Sequence, residues 1–221
     1  MYIVDRSLRF IRGALMSYGP SFLKKSLWDQ EYSTSKWNFN DDTSNDLVYP
    51  YLEKWARKGS ILDLGCGSGN TSNELADSAY QSYLGVDISE VALAKARKWT
   101  EQAGRTTKNK FVHGELLGFV PPEKYDVILF RESMYHVPLG QVKTVLDHYA
   151  KYLMPEGVII VRMSKTQDGK PKWRPTAMFR VIETEFDVVE QGECHIGFGG
   201  TITVFRPRVA GASTSVSARA N

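Results

Sequence analysis

Ile61-Leu62-Asp63-Leu64-Gly65-Cys66-Gly67-Ser68-Gly69-Asn70 decides how the rest of this chain is read. Four apolar or β-compatible positions over 60–64 make a buried strand, and the chain then breaks into glycines at 65, 67 and 69. Glycine tolerates positive φ and lets a ligand approach the backbone, so an alternating glycine run after a strand is a ligand-cradling turn. Leu75 and Ala76 continue the pattern as a helix expected to reach about Tyr80. A helix beginning near Gly69 leaves its first amides without intrahelical partners, which suits a polar or anionic ligand group. A dinucleotide fingerprint needs a third glycine at position 70 for close helix–strand packing, and Asn70 stands there instead.

A second acid closes the next strand-like run, Tyr83-Leu84-Gly85-Val86-Asp87. The spacing Asp63, Gly65, Gly67, Gly69 together with Asp87 resembles the class I S-adenosylmethionine-dependent methyltransferase family over roughly residues 45–206. The resemblance implies an α/β fold of three layers, doubly wound, around a seven-stranded, mostly parallel sheet whose last strand is antiparallel. It also implies that Asp63, Gly65, Cys66, Gly67 and Gly69 lie beneath the methionine part of S-adenosylmethionine, and that Asp87, followed by Ile88, binds the ribose hydroxyls. Glu115 would accept from the adenine amino group, with Leu116 against the ring.

The remainder of the chain agrees with an alternating α/β order. Ser89 is a good N-cap for a helix ending at Gly104. Strands are expected over 110–113, 125–130 and 158–163, with a helix over 142–153 and a turn at Pro155-Glu156-Gly157. Strands separated by helices make a parallel sheet with right-handed crossovers. Residues 164–178 crowd Lys165, Lys170, Lys172 and Arg174 with Pro171, Pro175 and Trp173, and read as a loop or cap. Two closing strands follow, over 185–190 and 201–206, and the tail from 207 to 221 has the Ala/Ser/Thr composition of a disordered segment.

Upstream, residues 1–44 form a separate N-terminal segment. Val4, Leu8, Ile11 and Leu15 repeat at helical spacing, and Arg6, Arg9 and Arg12 lie largely off that stripe, so this basic helix is read as a lid or dimer contact in preference to a membrane-surface helix. Gly19-Pro20 breaks it. The stretch 28–45 is aromatic without clear periodicity; Trp28, Tyr32 and Trp37 are assigned to a pocket roof, and Trp173 joins them as a substrate-binding residue. Asn45 or Asp46 is expected to cap a helix reaching about Lys58.

Ligands of open parallel sheets sit beyond the carboxyl ends of the strands. After the strand over 125–130 come Arg131, Glu132, Tyr135 and His136. A family member that methylates base or glutamine nitrogens carries a proline-rich Asn/Asp-Pro-Pro-Tyr/Phe motif at this point; it is missing here, which argues against base methylation. Arg131 is counted with the cofactor set. His136 is the candidate base, Glu132 its orienter or alternative, and Tyr135 completes the set, since imidazole titrates near neutral pH. An alternative role for His136 is that of a turn residue before Pro138.

Bulk properties add limits. With 221 residues, 42% hydrophobic and 24% charged, the chain has room for one core. A net charge of +3 is too small to argue for nucleic acid. No apolar run approaches the ~18 residues of a membrane span. Cys66 and Cys194 have no metal-ligand spacing, and two unpaired thiols point to a reducing, cytoplasmic setting. The expectation is a methyltransferase acting on an oxygen or nitrogen of a small molecule, with the oligomeric state open and a homodimer one option. Its competitors are a protein or RNA methyltransferase and a non-catalytic, cofactor-binding partner subunit.

Overall fold

A computed structural model describes residues 12–16, 18–34, 43, 45–164, 166–167, 170–171, 173–194 and 199–208. Seven strands form one sheet: β1 (Ser60–Leu64), β2 (Ser82–Asp87), β3 (Asn109–His113), β4 (Tyr125–Arg131), β5 (Leu153–Met163), β8 (Phe186–Cys194) and β9 (Gly200–Pro207), in the order β3-β2-β1-β4-β5-β9-β8. The pairs among β1 to β5 are all parallel. The final strand, β9, runs antiparallel to both neighbours and is inserted between β5 and β8. β6 (Thr166–Gln167) and β7 (Lys170–Pro171) make a separate small hairpin.

Helices α1 (Ser21–Ser33), α2 (Val48–Ala56), α3 (Asn70–Glu74), α4 (Glu90–Gln102), α5 (Val142–Ala150) and α6 (Trp173–Glu185) accompany the sheet. Strand side chains alternate between the two faces, and both faces are dry. Leu62, Leu64, Ile159 and Val161 join Val145 and Leu146 of α5 and Met178 and Ile182 of α6. Ile61, Leu129, Ile160 and Val204 join Leu52 of α2 and Leu93 of α4. A strand buried on both faces is apolar throughout, which is why β4 and β5 read as unbroken hydrophobic runs. The switch in winding direction falls between β1 and β4, with β2 and β3 on one side and β5 on the other.

Several local expectations change. The helix after the glycine turn stops at Glu74 and is followed only by a 3₁₀ turn, Asp77–Ala79. The turn expected at 155–157 lies inside β5, where the register with β4 shifts between Tyr125 and Val127 and residues 154–157 bulge. The loop assigned to 164–178 gives way to α6 from Trp173 onward. Pro175 falls in its first turn, where an imino nitrogen removes no helical bond; beyond it Met178, Phe179 and Ile182 are buried at helical spacing. The prolines and cations at the front of that segment obscured the period behind them. Likewise residues 28–33, read as irregular, are the second half of α1. The tail beyond 208 lies outside the described residues, as do residues 1–11.

Candidate active site

The glycine turn is built by its neighbours. Gly65 and Cys66 both donate their amides to the Val86 carbonyl, at 2.8 and 3.1 Å, which ties the turn to the end of β2. Gly65 and Gly67 have φ of +82° and +54°, a region that side chains with a Cβ rarely enter. A Cβ on Gly65 would stand 2.5 Å from Cβ of Ser133, and one on Gly67 would stand 2.6 Å from the Tyr32 hydroxyl. Gly69 is the N-cap of α3. Asn70, in place of a third glycine, is buried and accepts a 2.9 Å bond from Ser68.

Asp87 ends β2 at 8% exposure. Its Oδ2 accepts the Gly67 amide at 2.8 Å and its Oδ1 the Ser89 amide at 2.9 Å. Burial raises its pKa above the ordinary carboxylate value in spite of these amides. Each oxygen keeps a lone pair beyond the amide it already accepts, so the carboxylate can still take two hydroxyl donors. Asp63 lies deeper, 1% exposed, where the Tyr83 hydroxyl donates to it at 2.5 Å and burial lifts its pKa to about 6. It supports the turn from below. Cys66 is a free, buried thiol whose pKa burial pushes well up.

Above Asp87 and the glycine turn lies a cavity of about 100 Å³. Its floor includes Gly65, Val86, Asp87 and Ile88; Glu115 and Leu116 form one wall, and Glu132, Ser133 and His136 the other. Its roof is α1. Lys24, Trp28 and Tyr32 recur every fourth residue, hence on one helical face, and all three line the cavity. The roof is fastened at several points. Lys24 forms an ion pair with Glu115, to which Ser21 also donates. Asp29 accepts from the Ser89 hydroxyl at 2.7 Å, and Lys95 donates to the Tyr32 carbonyl at 2.8 Å. Burial works against the Glu115 charge, but the bonds from Lys24 and Ser21 outweigh it and its pKa falls.

His136 closes a 3₁₀ turn, Met134–His136, just past β4. Its ring meets Trp28 edge-on at 5.0 Å and Tyr135 at 5.9 Å. Its buried Nδ1 has no hydrogen-bond partner among the described residues. Burial, reinforced by the charges of Arg174 and Lys24, holds its pKa down near 4, so the imidazole is neutral at physiological pH. Glu132 sits at φ +52°, a strained conformation for a residue with a side chain. It accepts a short bond from Arg162 and the Ser164 amide at 2.7 Å.

The cofactor set therefore separates. Asp87, Ile88, Gly65, Glu115 and Leu116 line the cavity, whereas Gly67, Gly69, Asp63 and Cys66 do not. Arg131 does not reach it: both its Nε and its Nη2 donate to Asp46 Oδ2, at 3.1 and 2.8 Å, and its Nη1 to Tyr49 at 3.0 Å. Of the catalytic set, His136 and Glu132 line the cavity, while Tyr135 packs beside His136 behind the wall. Trp28 and Tyr32 are in the roof; Trp37 and the Trp173 side chain lie outside the described residues. Lys24 and Ser133 also line the cavity, outside the set expected from the sequence. The Lys24–Trp28–Tyr32 spacing carried the signal for the first; nothing local marked the second.

Residues 61–157 match the family described as a methyltransferase domain. Among similar curated proteins, the rat (Rattus norvegicus) N-terminal Xaa-Pro-Lys N-methyltransferase 1 is 28% identical over 54% of this chain and 56% of its own length. A ubiquinone biosynthesis O-methyltransferase of Nitrosospira multiformis is 32% identical over 64% of this chain and, again, 56% of its own length. The chain thus spans little more than half of the relatives it matches. The solved N-methyltransferase NodS of Bradyrhizobium japonicum, in complex with S-adenosyl-L-homocysteine, superposes with a TM-score of 0.64 at 17% identity, covering 83% of this chain and 97% of that one. At that identity the likeness is one of fold.

Proposed function

We propose that this chain, which carries a class I methyltransferase domain, binds S-adenosylmethionine over its glycine turn and passes the methyl group to an oxygen or nitrogen of a small-molecule acceptor beside His136. The observation that carries the reading is Asp87: a buried carboxylate at the end of β2, fixed by the Gly67 and Ser89 amides and facing the cavity. Its acceptor capacity fits a vicinal diol, and the Cβ-free surface of Gly65 fits close approach of a ligand.

S-adenosylmethionine supplies a methyl group on a sulfonium, a good leaving group, so the protein's task is chiefly alignment. Asp87 holds the sugar; Glu115 and Leu116 offer an acceptor and an apolar face for the adenine. At about 100 Å³ the cavity is smaller than the roughly 300–1,000 Å³ of ordinary ligand sites, so α1 moves outward when the cofactor enters. Neutral His136 can accept a hydrogen bond from the acceptor's nucleophile and so orient it; Glu132, already bonded to Arg162 and Ser164, shapes the wall and is not a poised base. A peptide amine is the second acceptor class, favoured by the 28% identity to the rat protein N-methyltransferase.

The test is calorimetry with S-adenosylhomocysteine. Wild-type protein binds it, and Asp87→Asn weakens binding by about 10- to 100-fold, the value of one or two hydrogen bonds to a charged group. Binding that is absent in the wild type, or equal in both, removes the assignment.

A further inference from the structure

Arg174 opens α6 without an anionic partner. Among the described residues its guanidinium forms no ion pair: one N–H donates to the Val137 carbonyl at 3.0 Å, and the group lies 5.5 Å from the Tyr18 ring centroid. Arginine has five such donors in a planar fork that matches a carboxylate. Its position is also unusual. The first turn of α6 contains no acidic residue, and a cation there opposes the helix dipole, which favours negative charge at that end.

Val137 follows His136 directly, so the bond to its carbonyl fastens Arg174 next to the residue that lines the acceptor side of the cavity. The other cation near His136, Lys24, is already neutralised by Glu115. Arg131 and Arg162, at the ends of β4 and β5, are both taken up by Asp46. Among these cations, Arg174 alone has neither a carboxylate partner nor a place deep in the fold. We infer that Arg174 is a specificity-determining residue that pairs with an anionic group, a carboxylate in the first instance, on the acceptor whose nucleophile lies beside His136. The inference rests on the methyltransferase reading and adds the class of acceptor to it. A carboxylate at Arg174 has its charge met by the guanidinium fork, whereas a neutral amide of the same shape leaves the fork partly unmatched.

The experiment titrates 4-hydroxybenzoate and 4-hydroxybenzamide, equal in shape and different in charge, into protein saturated with S-adenosylhomocysteine. Wild-type protein is expected to bind the carboxylate at least tenfold more tightly than the amide. Arg174→Gln loses that preference and Arg174→Lys keeps part of it, while both retain wild-type affinity for S-adenosylhomocysteine, which shows that they fold. Equal binding of the two probes, binding of neither, or a preference undiminished in Arg174→Gln overturns the assignment. If the wild type fails to bind S-adenosylhomocysteine, the methyltransferase reading falls instead, and the Arg174 assignment with it.

Discussion

His136 illustrates how a residue type and its surroundings set its chemistry together. A histidine in water would be partly protonated near pH 6.5, but this one is buried beside Trp28, with Lys24 and Arg174 disfavouring a further positive charge, and its pKa falls to about 4. The sign matters for its use. The folded protein keeps the imidazole neutral down to about pH 4, so the hydrogen-bond-accepting form is lost only as pH drops through that value. Turnover is therefore expected to be level between pH 6 and 8, with no inflection near 6.5 from this residue. His136→Gln should lower turnover by about 10²-fold, the lower end of what a positioned acid–base group contributes, with affinity for S-adenosylhomocysteine unchanged. An inflection near 6.5 that disappears in His136→Gln would show the imidazole titrating as if exposed.

Asp87 and Arg131 mark the limits of residue-level reading. The place of Asp87 was legible because it depends on the strand that it ends and the turn twenty residues earlier, both plain in the sequence. Arg131 sits equally well placed at the end of β4, yet Asp46, which is 85 residues away, captures it. A side chain that long has several reachable partners, and the sequence does not say which comes nearest.

At the scale of elements, α1 is the part whose function depends most on where it docks. Its sequence is only weakly amphipathic, and it buries the charged Lys24 and Glu31. Glu31 pairs with Arg12 at 2.8 Å and Lys24 with Glu115, so charge pairs and aromatic rings hold the roof more than aliphatic packing does. Partly exposed ion pairs of this kind contribute about 1 kcal/mol or less, which suits the opening that the proposed cofactor binding requires. Lys24→Ala is expected to speed association of S-adenosylhomocysteine by a few-fold, read by stopped-flow quenching of tryptophan fluorescence. An unchanged association rate would mean that the pair does not fasten the roof. α6 teaches the complementary lesson: its buried Met178, Phe179 and Ile182 have helical spacing, but the prolines ahead of them suggested a loop.

Across the whole molecule, the fold is joined at one ionic knot. Asp46, just ahead of α2, accepts from Arg131 at the end of β4 through one oxygen and from Arg162 of β5 through the other, at 2.8 and 3.0 Å. Arg162 also holds Glu132 in its left-handed conformation. All three charged side chains of the Asp46 pairings are about 10% exposed or less. Removing the shared carboxylate leaves Arg131 without its ionic partner and Arg162 with Glu132 alone, and the loss of one partner from a buried pair runs to about 3–5 kcal/mol. Asp46→Ala should therefore lower the free energy of unfolding by that amount, read as a lower urea midpoint at an unchanged denaturant slope, and the Tm by roughly 10 °C for a chain of this size. A loss below about 1 kcal/mol would place the knot in water. The membrane question is narrower: no helix among the described residues is long and apolar enough to cross a bilayer.

By itself the sequence determined the α/β alternation, the glycine turn between β1 and α3, and the acid that closes β2, because each is written in spacings of two to four residues along one stretch of chain. The tertiary structure alone decided that Lys24, Trp28 and Tyr32 roof the cavity, that Asp46 claims Arg131 and Arg162, and that Arg174 stands beside His136. Those pairings join segments tens of residues apart. Backbone periodicity fixes which way a side chain faces, but only the packing of elements against one another fixes what it meets there.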